Sequence, residues 1–444
     1  MELVHATRLH EKCGMDPFFT ELGRTVFARW KAENFDLARF PDIAVAALEE
    51  RPPAQHVDVS SLIREFLLED EQPFQSSSGF GQPELVLYDN PRFYIQILFW
   101  LEGTTDIHQH MFSGAFHVLA GSSLHARFAF ENPQSISAHL RLGDLRMNEI
   151  HLLDTGTTVP IVSGGGYIHS LFHLETPSIT VVVRTHTDPG TGPQFTYLPP
   201  HVAVDPFHDD ALTTRRKQLL DVLEKTADPT YPDLVAEMIA QLDFERGFFI
   251  LQNGMGHLRN LGVWDDTWGI FREKHGPLAD RIAPTLDEII WRDRLVGLRS
   301  TVIDTDHRYF LALLLNVPNR EELLDFVLRR FPDAPAADTI AGWAEELYEA
   351  SDIGFWIVDA EFPETDEVPL DDQLPLFVAA LRYFIQSHPA SIPPELAGVS
   401  AAFVEEMRGA FTRSSLRTLI TAERRLPRVR RAKTPAASRK GEGN

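Results

Sequence analysis

Cysteine is almost absent from this sequence, since Cys13 is the single cysteine among 444 residues. An intramolecular disulfide and a cysteine-rich zinc site are therefore excluded. The sequence has no apolar run long enough to span a membrane, and it has no basic, then apolar, secretory N-terminus. These absences predict a cytoplasmic protein without a membrane partner.

Basic residues are scarce relative to acidic ones, and the formal net charge is -23. Proteins that bind nucleic acids neutralise phosphates with clustered lysine and arginine, so a nucleic acid is not an expected partner. Residues 426–444 are the exception, because Arg428, Arg430 and Arg431 stand there among proline, alanine, serine and glycine. This composition predicts a disordered basic tail. The alternative is an arm that binds a nucleic acid or an acidic partner.

The length of the chain and the changes of pattern along it predict an α+β protein with more than one domain. Residues 1–70 have apolar side chains at helical spacing, including Val26 and Trp30. Residues 71–205 contain short apolar runs between turns, a pattern typical of a barrel or a sandwich. Residues 206–425 return to helical periodicity and predict an all-α domain. The predicted strands are Glu84–Tyr88, Phe93–Leu101, Ile107–His110, Gly114–Leu119, Leu124–Phe130, Leu145–Leu153 and Ser178–Thr185.

A pair of histidines, His108 and His110, lies in the segment that runs from Asp106 to Gly121. Residues two apart point to the same face of a β-strand. Two imidazoles on one face can bind a divalent metal through nitrogens of borderline softness. The pair by itself is equally compatible with ordinary core or surface histidines, so a further ligand is needed.

The segment resembles the first motif of the cupin barrel, in which H-x-H is followed by a strand that ends V-L-x-G, here residues 118–121. Most metal-binding cupins have a glutamate ligand four residues after the second histidine, but this chain has Gly114 there. A glycine at this position of the motif resembles the thiol dioxygenase branch, which includes bacterial cysteine dioxygenase. The iron of that branch is bound by three histidines. The resemblance covers about sixteen residues.

A second stretch resembles the second cupin motif, with Gly166 and His169 in matching positions. Gly164 replaces the proline of that motif, and His173 replaces its asparagine. The resemblance implies a cupin-type, jelly-roll-like barrel with helices before it and an all-α domain after it. It also implies that the metal ligands are His108, His110 and His169.

The resemblance implies Fe(II) as the metal, with zinc, nickel or manganese as alternatives. Three neutral imidazoles leave the charge of the ion uncompensated, which favours a small anionic or thiol-bearing substrate beside O2. Thiol dioxygenases bind the substrate carboxylate with an arginine. Arg184 and His186 share strand parity, so either both face the metal, with Arg184 as the candidate that binds the anion, or both form an exposed pair at the rim. Their S-x-H-x-Y relay is absent, and this departure makes cysteine itself a doubtful substrate.

Several other residues near the motifs have two interpretations. His117 and His173 are either partners that orient a ligand ring or polar residues at the barrel rim. Asp106 either accepts an imidazole N–H or belongs to a turn. Either Tyr94 and Gln96 or their alternating neighbours line the barrel. His125, His139 and His151 have no supporting context and are interpreted as structural or surface residues. The aromatic wall that is expected to exclude water consists of Phe99, Phe112, Phe116 and Phe172.

The function predicted from these residues is a non-haem Fe(II)-dependent oxygenase. A different class is a non-catalytic cupin that binds a ligand or serves as a scaffold, whose helical domain recruits a protein partner. A third class is a redox-free, metal-dependent isomerase. No Walker loop, Rossmann glycine pattern, nucleophile elbow or kinase signature is present.

Overall fold

The structure is a computed structural model that describes residues 17–69, 73–75, 80–103, 106–208, 210–350, 373–386 and 393–420. The predicted basic tail lies outside these residues, as do residues 1–16 of the predicted N-terminal helical segment. Within the described residues, no helix is both long enough and apolar enough to span a membrane.

Four helices precede the strands: α1 (Pro17–Ala32), α2 (Phe40–Glu50), α3 (Pro53–His56) and α4 (Val59–Leu68), with a 3-10 turn at Leu37–Arg39. They form because apolar residues recur on one helical face, and because Asp58 caps α4 by accepting a hydrogen bond from the Ser61 N–H. Trp30 and Phe40 are buried on that face, where they contact Phe93 of the neighbouring sheet. The helices therefore cover one side of the β-structure.

Eleven strands follow in the described residues, and they form two antiparallel sheets. The first has the order β1-β2-β9-β4-β7, and the second closes on itself in the order β10-β11-β6-β5-β8-β3. The strands are β1 (Glu84–Asp89), β2 (Phe93–Trp100), β3 (His108–His110), β4 (Gly114–Ala120), β5 (Ser123–Ser135), β6 (Leu140–Leu153), β7 (Thr158–Ile161), β8 (Gly164–His173), β9 (Ser178–Thr185), β10 (Thr196–Leu198) and β11 (Val202–Val204).

Four of these strands, β7, β8, β10 and β11, are missing from the predicted strands. The three glycines at 164–166 predict a turn, yet they begin β8. The strand extends over these glycines because His110 of β3 pairs with Gly164, while β5 pairs only with residues 168–173 farther along β8. This tertiary pairing outweighs the weak strand propensity of glycine.

Helices α5 to α15 make up the rest of the described chain, with a 3-10 turn at Pro394–Leu396. From Trp291 onward, the apolar faces of the helices share one core with the outer surface of the barrel, where Phe128, Leu145 and Ile168 belong to the same cluster as Leu295 and Leu314. The helices up to His275 pack in a second core, which includes Leu140 and Leu142 of β6. The helices are α5 (Ala211–Lys225), α6 (Tyr231–Gln241), α7 (Phe244–Asn260), α8 (Trp264–His275), α9 (Pro277–Thr301), α10 (Thr305–Asn316), α11 (Arg320–Arg330), α12 (Ala336–Glu349), α13 (Gln373–Ile385), α14 (Ala401–Arg413) and α15 (Arg417–Ile420).

Helices α9 and α10 are bound to the barrel through two buried arginines. Arg299 donates hydrogen bonds to the carbonyl oxygen of His173 at 3.1 and 3.2 Å. Arg308 donates to the carbonyl oxygen of Leu174 at 3.0 Å and to Oγ1 of Thr176 at 2.7 Å. The predicted fold class, a β-barrel with N-terminal helices and a helical C-terminal region, is confirmed.

Candidate metal centre

The three predicted metal ligands lie together because two strands pair in one register. On β3, His108 and His110 lie on the same face, and β8 places His169 directly opposite His108. The side chains are almost fully buried, with 5%, 5% and 2% of their residues' surface exposed in chain order. Their ligand nitrogens all lie within 4.8 Å of one another. Among the residues that the structure describes, no other group of three or more histidine, cysteine or acidic side chains converges in this way.

Hydrogen bonds fix which nitrogen of two rings faces the centre. Nδ1 of His108 lies 2.7 Å from the carbonyl oxygen of Asp106, which can only accept, so Nδ1 carries the proton. The lone pair of His108 is then on Nε2, which is buried and has no hydrogen-bond partner. Asp106 therefore acts through its backbone, and not through its carboxylate. An unpartnered buried nitrogen of this kind fits a metal ligand.

A fourth histidine, His125, supports the centre from β5, and the sequence patterns do not identify it. Nε2 of His125 lies 3.1 Å from Nδ1 of His169, and the hydroxyl of Tyr167 lies 3.4 Å from the same Nε2. The guanidinium of Arg127 covers the ring of Tyr167 at 4.4 Å. With His125 as acceptor, His169 keeps a proton on Nδ1 and presents Nε2 to the centre. The only available signal in the sequence is that His125 alternates with apolar residues on a strand.

Burial keeps the imidazoles of the centre neutral. It lowers the pKa of His108, and together with neighbouring positive charges it lowers the pKa values of His110 and His169 well below the usual range. Burial also lowers the pKa of His125 to about 3. Since a metal binds the neutral form of imidazole, these rings are prepared for binding at neutral pH without losing a proton.

The distance between two of the ligand nitrogens fits a shared ion. Two adjacent ligands on an octahedral ion, each about 2.1 Å from the metal, are about 3.0 Å apart. Nε2 of His110 lies 2.9 Å from Nε2 of His169. Two nitrogen lone pairs at this distance repel each other unless a proton or a cation lies between them. Such a cation could be bound by His108, His110 and His169.

The three rings open into a cavity between the two sheets with a volume of about 40 Å³, room for about three water molecules. Its wall is mostly apolar and aromatic. Apart from the metal-centre histidines, Arg184 is the one charged residue among the described residues that line it. The chamber, as we call this cavity, is lined by Phe80, Gln96, Leu98, Trp100, Phe112, Phe116, Ile161, Leu171, Thr180, Val182, Arg184 and the three histidines.

Arg184 is held over the rings of Phe112 at 3.4 Å and Tyr94 at 5.0 Å, and it donates hydrogen bonds to the carbonyl oxygens of Thr185 and His186. Burial lowers its pKa, although Tyr94, among other groups, partly offsets this effect. A guanidinium retains its charge under such conditions. The chamber is therefore cationic before any metal is bound, and it is suited to an anion.

The other predicted site residues lie elsewhere. His186 does not line the chamber beside Arg184; it is exposed, and its Nε2 lies 2.9 Å from the carbonyl oxygen of Asn90. Strand β9 ends at Thr185, so the alternation that relates Arg184 to His186 does not continue. His173 bonds Oγ of Ser123 and stacks on Trp100. His117 bonds Oγ1 of Thr158, on the side of the sheet that faces the N-terminal helices.

The predicted aromatic wall is half correct. Phe112 and Phe116 line the chamber, whereas Phe99 packs beneath the N-terminal helices and Phe172 belongs to the core shared with the C-terminal helices. Alternation on the strands sends these two rings to the opposite faces of their sheets. Gln96 is on the lining side of β2.

No protein-family model and no curated protein sequence matches this chain. Among solved structures, an RmlC-like cupin from Shewanella frigidimarina is similar at 17% sequence identity and a TM-score of 0.18, over 26% of this chain and 86% of that chain. The DMSP lyase DddQ from Ruegeria pomeroyi is similar at 16% sequence identity and a TM-score of 0.22, over 41% of this chain and 98% of that chain. The capsular polysaccharide assembling protein CapF from Staphylococcus aureus is similar at 13% sequence identity and a TM-score of 0.21, over 34% of this chain and 43% of that chain.

Because these scores are low, the fold assignment depends on the strand order of this chain. The two facing sheets agree with the predicted cupin-type barrel. Neither the sheets nor the similar structures single out the thiol dioxygenase branch, which stays a prediction.

Proposed function

We propose that this protein is a non-haem Fe(II)-dependent oxygenase that oxidises a small anionic substrate with O2. The observation that carries the proposal is the convergence of three buried, neutral imidazoles with an unpartnered Nε2 on His108. Arg184 in the same chamber supports the anionic character of the substrate. Zinc, nickel or manganese in the same ligands would support redox-free isomerisation instead.

A bound Fe(II) with three protein ligands supplies open positions at which substrate and O2 can react. The residues of this chain prepare those positions. The carbonyl oxygen of Asp106 and Nε2 of His125 fix two ligand rings by hydrogen bonds. Arg184 binds and orients the anionic group of the substrate. Phe112 and Phe116 exclude bulk water, which strengthens the electrostatic contacts inside the chamber.

The test begins with anaerobic loading of the protein with Fe(II), followed by metal analysis and addition of nitric oxide. We expect about one iron per chain and a nitrosyl signal, which requires an open iron position. The His169→Ala variant should lose both, whereas the matched control His151→Ala, at an exposed histidine, should retain them. Iron below a tenth of an equivalent in the loaded wild-type protein would contradict the proposal.

Activity is tested by oxygen consumption on a panel of small thiols and carboxylates. Substrate-dependent consumption that disappears in His169→Ala supports the oxygenase. Isomerisation without oxygen uptake would favour the redox-free enzyme. Binding of a protein partner that is unaffected by His108→Ala, without any turnover, would favour the scaffold.

A further inference from the structure

Helix α5 has apolar side chains on two opposite faces. On its inner face, Leu220 is buried in the core that α5 shares with α6, α7 and α8. On its outer face, Leu212, Leu219 and Val222 are 55%, 65% and 54% exposed. A helix of a soluble protein normally turns one apolar stripe to the core and a polar face to the water. The outer apolar residues of α5 therefore do not serve the packing of the described residues.

These exposed residues form a narrow stripe, which we call the α5 stripe. Positions 212, 219 and 222 are separated by seven and three residues, which is the spacing of the a and d positions in a heptad repeat. Position 215 completes this spacing, and it is occupied by the exposed Arg215. A strict a/d stripe is the seam along which two helices pack. A second helix is therefore the shape of partner that fits the α5 stripe.

The charge of the α5 stripe is positive, although the protein as a whole has 64 acidic residues against 41 basic ones. Arg215 lies within the stripe, and Arg216 and Lys225 lie beside it. Arg215 donates a hydrogen bond to the side-chain oxygen of Gln218 at 2.6 Å. Within the part of the chain that the structure describes, none of these three cations forms an ion pair. Carboxylates of another molecule can therefore pair with them.

The two acidic residues of α5 face the neighbouring helix α7, and not the stripe. Asp221 accepts a hydrogen bond from the side chain of Asn253 at 2.9 Å, and Glu224 lies 3.7 Å from Nδ1 of His257. The charges along the stripe are thus all positive. If two copies of α5 packed together, like charges would face each other, which disfavours pairing with a second copy of this chain.

We propose that the α5 stripe is a docking surface for an acidic amphipathic helix of a protein partner. The apolar side chains of the stripe pack against the apolar seam of that helix, and Arg215, Arg216 and Lys225 pair with carboxylates that flank the seam. This complementarity accounts for exposed apolar residues and unpaired cations on one helix of a protein with net charge -23. None of these residues lines the chamber, so the inference does not depend on the proposed function.

The probe is a synthetic peptide of about three heptads with leucine at the a and d positions and glutamate at the e and g positions. A second peptide has glutamine in place of each glutamate, so the two peptides differ in charge but hardly in shape. Binding of the labelled peptides to the full chain is measured by fluorescence anisotropy at physiological salt, where distant charges of the protein are screened. We expect the glutamate peptide to bind at least about threefold more tightly than the glutamine peptide.

Two variants of the stripe test its two components, and both change only exposed side chains. Leu219→Gln removes the central apolar contact and should weaken binding of the glutamate peptide by about tenfold or more. The double variant Arg215→Gln, Lys225→Gln should weaken it by about three- to tenfold and leave binding of the glutamine peptide almost unchanged. The matched control is Leu328→Gln, at a leucine on α11 that is 50% exposed, and it should change neither dissociation constant.

Equal binding of the two peptides, or binding that Leu219→Gln leaves unchanged, would overturn the proposal. Absence of binding by the glutamate peptide at about 0.1 mM would overturn it as well. A dimer of the chain that is detected by sedimentation and lost in Leu219→Gln would assign the stripe to a second copy instead. Flotation with phosphatidylserine and phosphatidylcholine vesicles that is lost in Leu219→Gln would assign it to a membrane surface. Either of these last two results would also overturn the proposed partner.

Discussion

Replacement of His125 by phenylalanine isolates the hydrogen bond that orients a metal ligand. His125 is 2% exposed and lies 3.1 Å, through Nε2, from Nδ1 of His169. Phenylalanine fills the space but cannot accept the hydrogen bond from Nδ1–H of His169, so the His169 ring can turn or change its tautomer. Loss of such an orienting partner typically lowers metal affinity about 10- to 100-fold, which corresponds to about 1.4 to 2.8 kcal/mol.

The metal-free protein should also become less stable. With His125 replaced, the buried Nδ1–H of His169 has no acceptor at that position, and an unsatisfied buried donor costs about 1–3 kcal/mol. His125→Gln retains an acceptor oxygen and should recover part of both losses. The matched control is His151→Gln, since His151 pairs with His125 across the two strands and is exposed.

Metal affinity is measured by competition with a coloured chelator at fixed pH, and stability is measured by urea denaturation of the metal-free variants. Metal binding by His125→Phe that is as tight as in the wild type would contradict the orienting role of His125. If His125→Gln binds the metal no more tightly than His125→Phe, the role of His125 is packing alone.

Three further predictions concern the substrate anion, acid stability and the junction with the helices. Arg184→Gln should weaken binding of a carboxylate probe by about tenfold or more while metal content is unchanged; loss of metal would contradict the assignment. Burial, followed by the charge of Arg299, lowers the pKa of His173 to about 3, against about 6.5 when unfolded. Below about pH 6.5 the unfolded chain therefore binds more protons than the folded chain, and the unfolding free energy of the wild type falls as the pH is lowered. In His173→Phe this fall should be smaller by about 1.4 kcal/mol per pH unit. Urea denaturation at about pH 6 and about pH 5 measures the difference. Arg299→Met should lower the unfolding free energy by about 1.5–3 kcal/mol, and a change below about 0.5 kcal/mol would show that its bonds to His173 are replaced by others.

The strand that carries His108 and His110 could be predicted because its signal is local. The two-residue spacing of His108 and His110 fixes their common face, whatever the surrounding fold. The position of His169 came from a motif, and the structure places it opposite His108. Arg184 became a candidate through the resemblance to thiol dioxygenases and its position on a strand after His169, and the structure places it in the lining of the chamber.

The supporting residues could not be predicted, because they depend on pairings between distant segments. His125 contacts His169 only because β5 pairs with β8, which places Arg127 opposite His169. Phe99 and Phe172 are as aromatic as Phe112, but strand alternation and sheet stacking direct them away from the chamber. Neither strand pairing nor sheet stacking can be recognised from the residues that neighbour these positions in the sequence.

The sequence by itself therefore determined the ligand types, the strand that holds two of them and the change from sheet to helix along the chain. Only the tertiary structure decided which side of each strand faces the chamber and which histidine supports His169. The physical reason is that backbone periodicity is a local property, whereas strand register and sheet stacking depend on pairing between residues far apart in the chain.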